Sequence, residues 1–171
     1  MRLKTFVTLS PVPAFARWLA RAMETDAEGL LSAADVKVLQ QLRNPAWREG
    51  RDRGAALNAV LMPLAAHYFL RAKSDDGQPV DPVARFHLGN GARLERLNWL
   101  GDISEKGLRE SHGLMVNYLY DLDQIEANHE AYENEGMIAT AKSVRSLLRP
   151  AAKATTAKLT APKQLAPPAK G

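Results

Sequence analysis

A chain of 171 residues, 46% of them hydrophobic and 25% charged, has the composition of one soluble globular domain with room for a tail. It contains no cysteine, which excludes disulfides, thiolate metal sites and a cysteine nucleophile. The formal charge of +4 is no sign of a nucleic-acid partner: Lys153, Lys158, Lys163 and Lys170 lie in the final 22 residues, which lack Asp and Glu, and without those four the 23 basic residues become 19 against 19 acidic.

The first element expected is a short strand over 4–9, where Thr5, Phe6, Val7 and Thr8 supply β-branched and aromatic residues. Ser10-Pro11-Val12-Pro13 ends it, because proline cannot donate to a sheet ladder. Pro13 suits the first turn of a helix over 14–23, with Phe15, Trp18, Leu19 and Ala22 on one face. Ser32 and Asp35 form a capping-box pattern that opens a helix to about Leu42, which Asn44-Pro45 stops. A longer helix, rich in Ala and Leu, spans about 53–72; its apolar residues cover more than one face, so it is expected to be buried. Residues 73–81 read as a surface loop.

Two strands, 83–88 and 93–99, are expected to form a hairpin around Gly89-Asn90-Gly91, residues that tolerate the positive φ of a tight turn. Ser104 caps a single helical turn over 105–110, 113–120 is a third strand, and helices follow at 123–135 and 138–149. From Pro150 the chain is Pro, Ala, Thr and Lys, and it is expected to be disordered. The pattern is a mixed α+β layer. The N-terminus lacks a signal peptide's apolar run and no stretch approaches the ~20 apolar residues of a membrane span, so a cytoplasmic protein without a membrane partner is expected.

Candidate chemistry centres on four histidines, none spaced from another as in a helical zinc motif, and no metal site is expected. His67 lies in the buried helix and reads as a hydrogen-bonded core residue; His129 reads as solvated; His112 fits either setting. His87 stands out at a presumed strand end beside a glycine turn, sharing a face with Val83 and Arg85 by alternation. Its reading as a functional group stands beside its reading as a structural one. Ser10 before proline is either a turn-closing residue or a reactive one. Asn98, Asn117 and Tyr120 are available as hydrogen-bond donors or simply as cross-strand pairs.

Four blocks go further: Leu9-Ser10-Pro11-Val12-Pro13-Ala14-Phe15, the run Asp81 to Ala92 containing Phe86-His87-Leu88-Gly89-Asn90-Gly91-Ala92, Leu97-Asn98-Trp99, and Gly113-Leu114-Met115-Val116-Asn117-Tyr118-Leu119-Tyr120. Together they resemble the malonyl-CoA decarboxylase family, in order, from about residue 2 to 149. The resemblance implies a partial acetyltransferase-like (GNAT) mixed sheet with flanking helices, and conversion of malonyl-CoA to acetyl-CoA and carbon dioxide without metal or organic cofactor. It implies a catalytic pair, Ser10 and His87, both also contacting substrate, with Tyr120 in the site and Asn98 and Asn117 in support. Residues 1–149 then form the C-terminal part of a catalytic domain, and 150–171 a Lys/Ala/Pro-rich tail. Ala14 stands where the family usually has glycine. Met1 stands where the family continues upstream, through the region expected to bind the CoA pyrophosphate and the strands flanking 4–9. Partners implied are therefore malonyl-CoA, the missing N-terminal part and other copies in a homo-oligomer. The competing reading is an inactive remnant that serves as an oligomerisation partner of a complete decarboxylase.

Overall fold

The computed structural model describes residues 3–26, 28–49 and 51–150. The chain begins with strand β1 (Thr5–Pro11) and helix α1 (Phe15–Thr25). Phe15 and Leu19, one helical turn apart, are the buried pair of α1. Helix α2 (Ala33–Leu39) opens on the expected capping box: the Ser32 hydroxyl accepts from Asp35 N, and the Asp35 carboxylate accepts from Ser32 N. Two 3₁₀ turns follow, Gln40–Arg43 and Pro45–Arg48, split at Asn44-Pro45.

Helix α3 (Arg51–Leu70) is the central element. Leu57, Leu61, Leu64, Ala65, Ala66, Tyr68 and Phe69 point from it into the core on more than one face, as its all-round apolar sequence implies. Helix α4 (Pro82–Gly89), strand β2 (Arg93–Asn98), helix α5 (Glu105–Ser111), strand β3 (Met115–Asp121), helix α6 (Ile125–Glu135) and the short α7 (Lys142–Arg145) complete the chain. No described helix is long and apolar enough to cross a membrane.

The fold is α+β, with one three-stranded antiparallel sheet in the order β1-β3-β2. Direct pairing of Phe6 with Tyr120, Thr8 with Tyr118 and Ser10 with Val116 puts these six side chains on one face. That face meets the helices: Ser10, Val116, Tyr118 and Tyr120 are all buried. The opposite face carries Val7 and Leu9, 53% and 58% exposed, and so lacks a covering layer among the described residues. β1 pairs only with β3 there, leaving its other edge without a ladder partner.

Three expectations are corrected. Residues 83–88 are helix α4, not a strand. Asp81 caps it by accepting from Ala84 N, and Pro82 takes the first helical position, where its fixed φ suits a helix. The buried residues Ala84 and Leu88 are four apart, the spacing of a helix face rather than of a pleat. Gly89-Asn90-Gly91 is accordingly the C-terminal end of a helix and not a hairpin turn: Asn90 N donates to the Phe86 and His87 carbonyls, and Gly91 takes φ +81°. β2 pairs with β3 rather than with 83–88.

The third correction concerns 138–149, where only Lys142–Arg145 is helical. Ala139 O accepts from Leu94 N at 2.8 Å, and Ala141 N donates to Leu94 O at 2.9 Å. Backbone committed to the outer edge of β2 cannot also close helical hydrogen bonds. Of the expected disordered tail, 151–171 lie outside the described residues.

Candidate active site

His87 occupies the last turn of α4 and points at the buried face of the sheet. Its Nε2 lies 3.3 Å from Ser10 Oγ on β1, and its Nδ1 lies 2.6 Å from the Tyr120 hydroxyl on β3. The imidazole lies nearly parallel to the ring of Tyr118, centroids 4.3 Å apart at 19°. Two strands and one helix thus fix both nitrogens and one face of a single ring.

The surroundings are apolar and aromatic. Phe6 stacks on Tyr120 at 4.7 Å, and Phe86 meets the imidazole edge-on at 5.2 Å. Burial lowers the pKa of His87 below the usual histidine value, because the charged ring loses water. Burial also raises the pKa of Tyr120, so its hydroxyl stays neutral, able to donate or accept. Ser10 Oγ is held a second time, by Thr8 Oγ1 at 3.2 Å.

The predicted residues divide by sheet face. Ser10, His87 and Tyr120 come together. Asn98 and Asn117 do not join them: Asn117 pairs with Leu9, which sets it on the outer face. There Asn98 Nδ2 donates to Asn117 Oδ1 at 2.8 Å, and Asn117 Nδ2 donates to the Thr8 carbonyl at 3.0 Å. The two asparagines tie β2 to β3 and β3 to the strand that carries Ser10.

The other histidines sit apart from this group. His67 Nε2 lies 2.8 Å from Glu28, His129 Nδ1 donates to the Gly89 carbonyl, and His112 is largely buried with φ 52°. No group of three or more metal-ligating side chains occurs among the described residues. Sequence reasoning missed Thr8 and Tyr118. Alternation was the available signal: each lies two positions from a residue that it did single out, Ser10 and Tyr120.

Residues 1–158 match the model of the malonyl-CoA decarboxylase C-terminal domain. Among curated proteins, the chain is 33% identical over 164 residues to the mitochondrial malonyl-CoA decarboxylase of Rattus norvegicus, covering 85% of this chain and 33% of that protein. It is 32% identical to the corresponding protein of Anser anser anser, over 86% of this chain and 32% of the relative. Among solved structures it resembles a malonyl-CoA decarboxylase from Rhodopseudomonas palustris at 55% identity and a TM-score of 0.82, over 85% of this chain and 33% of the other. The corresponding figures for one from Agrobacterium vitis are 53% and 0.83, over 86% and 36%. The chain therefore spans about a third of the length of the relatives it matches.

Proposed function

Because the chain belongs to the malonyl-CoA decarboxylase family through the C-terminal domain, we propose that it supplies the Ser10–His87 half of a site that decarboxylates malonyl-CoA to acetyl-CoA. One observation carries this reading. Two residue types suited to the chemistry, far apart in sequence, meet at 3.3 Å on the buried side of the sheet.

Loss of carbon dioxide from the malonyl group leaves the pair of electrons on the α-carbon as a thioester enolate. The enolate oxygen needs a fixed donor, and the α-carbon needs a proton. His87, protonated from solvent to the imidazolium, delivers that proton from Nε2 and returns to the neutral ring. Ser10 hydrogen-bonds the malonyl group and holds it against the ring. Tyr120, on Nδ1, fixes the orientation of the imidazole. The rings of Phe6, Tyr118 and Phe86 surround the imidazole and Tyr120 with apolar surface, which strengthens the hydrogen bonds made there. Asn98 and Asn117 act from the far face by steadying β1 through the Thr8 carbonyl.

The three-stranded sheet is read here as one part of a larger acetyltransferase-like sheet. The open edge of β1 and the exposed Val7 and Leu9 support this, since a completed domain would not leave an apolar strand edge bare. Substrate capture then needs the portion of the family protein that this chain does not span. The same exposed edge favours a second reading, a non-catalytic partner that docks on complete decarboxylase subunits.

The test is a malonyl-CoA decarboxylation assay on this chain, alone and mixed with the remaining part of a family member. Activity in the mixture, abolished by His87→Gln, is the expected result. A mixture that assembles and stays inactive would sink the catalytic reading and leave the docking one.

A further inference from the structure

His87 is carried by an eight-residue helix, and the start of that helix is held by a buried carboxylate. Asp81 is 1% exposed. Its Oδ1 accepts from Ala84 N at 2.9 Å, and its Oδ2 accepts from the Tyr68 hydroxyl at 3.0 Å. Tyr68 is fully buried on α3, the central helix. One carboxylate therefore bolts the first turn of α4 to the core.

A cap alone does not require this arrangement. Ser104 caps α5, and the exposed Asn44 caps the 3₁₀ turn at Pro45–Arg48, without a buried charge. A core carboxylate without an ion-pair partner among the described residues costs stability, and burial raises its pKa accordingly. What it provides is a directed, two-point attachment. The far end of α4 is held as well: His129 Nδ1 donates to Gly89 O at 2.6 Å, and Asn128 Nδ2 donates to Gly91 O at 3.1 Å, both from α6. Between these anchors His87 rests on the ring of Tyr118, whose hydroxyl is buried and makes no hydrogen bond among the described residues. The helix thus has fixed ends and a flat floor, and its one polar side chain at the sheet is aimed at Ser10.

We propose that Asp81 and Tyr68 are positioning residues for His87: their hydrogen bond sets the seat of α4 and so the distance from His87 Nε2 to Ser10 Oγ. A shift of the helix by a fraction of a hydrogen-bond length along its axis separates the pair, while the core around Leu88 stays filled. The proposal takes its catalytic meaning from the proposed role of His87, yet its geometric content is measurable without turnover.

The test uses the full chain and three variants, Tyr68→Phe, Asp81→Ala and Asp81→Asn. The readout is the imidazole nitrogen resonances of His87, assigned by their loss in His87→Gln. The expected wild-type pattern is a single tautomer. Tyr68→Phe and Asp81→Ala shift it toward the average of two tautomers, with far-ultraviolet circular dichroism unchanged. Asp81→Asn, which still caps Ala84 N and can pair with Tyr68, restores it. Tyr68→Phe removes one oxygen and leaves the ring, so it carries the test where Asp81→Ala fails to fold. In the mixed decarboxylase assay the same two variants lower kcat on the order of ten-fold with KM nearly constant. Folded variants with unchanged His87 resonances overturn the proposal, even where wild-type activity is found. Shifted resonances in an assembly without activity would instead remove the decarboxylase reading and leave the positioning intact.

Discussion

Ser10 and His87 are 77 positions apart in the chain and 3.3 Å apart between Oγ and Nε2. Neither residue has another role in the fold that demands this contact: Ser10 sits in a strand already paired by its backbone, and α4 is held at its ends by other residues. His87→Gln nearly keeps the size of the side chain and removes the proton donor proposed at Nε2. In an assembled decarboxylase it is expected to lower kcat by about 10² to 10⁴, the usual worth of a positioned acid. Steady-state kinetics on the mixture check this.

Ser10→Ala tests the other half of the pair. Among the described residues the lost hydroxyl touches Thr8 and His87, so the fold should lose about 1 to 2 kcal/mol. Turnover should fall on the order of ten-fold or more through loss of the hydrogen bond proposed between Ser10 and the malonyl group. Matched urea unfolding and rate measurements separate the two effects.

Tyr120→Phe keeps the ring that stacks on Phe6 and removes the hydroxyl at His87 Nδ1. The imidazole then loses its tautomer lock while stability changes by about 1 kcal/mol at most. A drop in kcat larger than the change in KM is the expected signature, read in the same assay.

Burial lowers the pKa of both His87 and His112 from the ordinary value. Their unfolded counterparts take up protons near pH 6.5. As pH falls through about 6.5 toward the lower folded values, the unfolded chain binds protons that the folded chain refuses. Stability present above that window is therefore lost as the solution becomes acidic. Unfolding midpoints should be higher at about pH 8 than at about pH 5, and the difference should shrink in His112→Gln.

Gly91 and Gly136 both have positive φ, +81° and +64°. A methyl group on Gly91 would run into the Ile125 carbonyl, whereas one on Gly136 meets open space. Gly136→Ala should therefore cost only the conformational penalty, about 1 kcal/mol. Gly91→Ala must also push α6 off the end of α4, which raises the cost to about 2 kcal/mol or more. Thermal unfolding of the two variants side by side gives the comparison.

The sequence made some of this legible because the physics was local. Ser32 and Asp35 announce α2, and the run from Gly113 to Tyr120 announces a strand, although not which of its faces is buried. His87 stands out in the sequence, but its spacing suggests a strand where the structure has a helix. Val83, Arg85 and His87 alternate like a strand, and Gly89-Asn90-Gly91 looks like a turn, yet Asp81-Pro82 is a helix start. Reading the cap before the alternation would have given the helix. The meeting of Ser10 with His87 is long-range and has no local signature; it came from resemblance. The displaced 138–149 helix has the same origin, since Leu94 claims the backbone of 139–141 from 45 positions away.

Among the described residues, β1 pairs on one side only, with β3. Fraying of β1 would part Ser10 from His87, and the free energy that resists it comes from one ladder together with the Asn117 bond to the Thr8 carbonyl. A strand that docks on the bare edge raises that free energy, and so does any ligand that grips both side chains at once. Both draw on the same equilibrium between frayed and ordered β1. Occupancy of the edge and occupancy of the site are thus linked quantities, each raising the affinity of the other by one common factor.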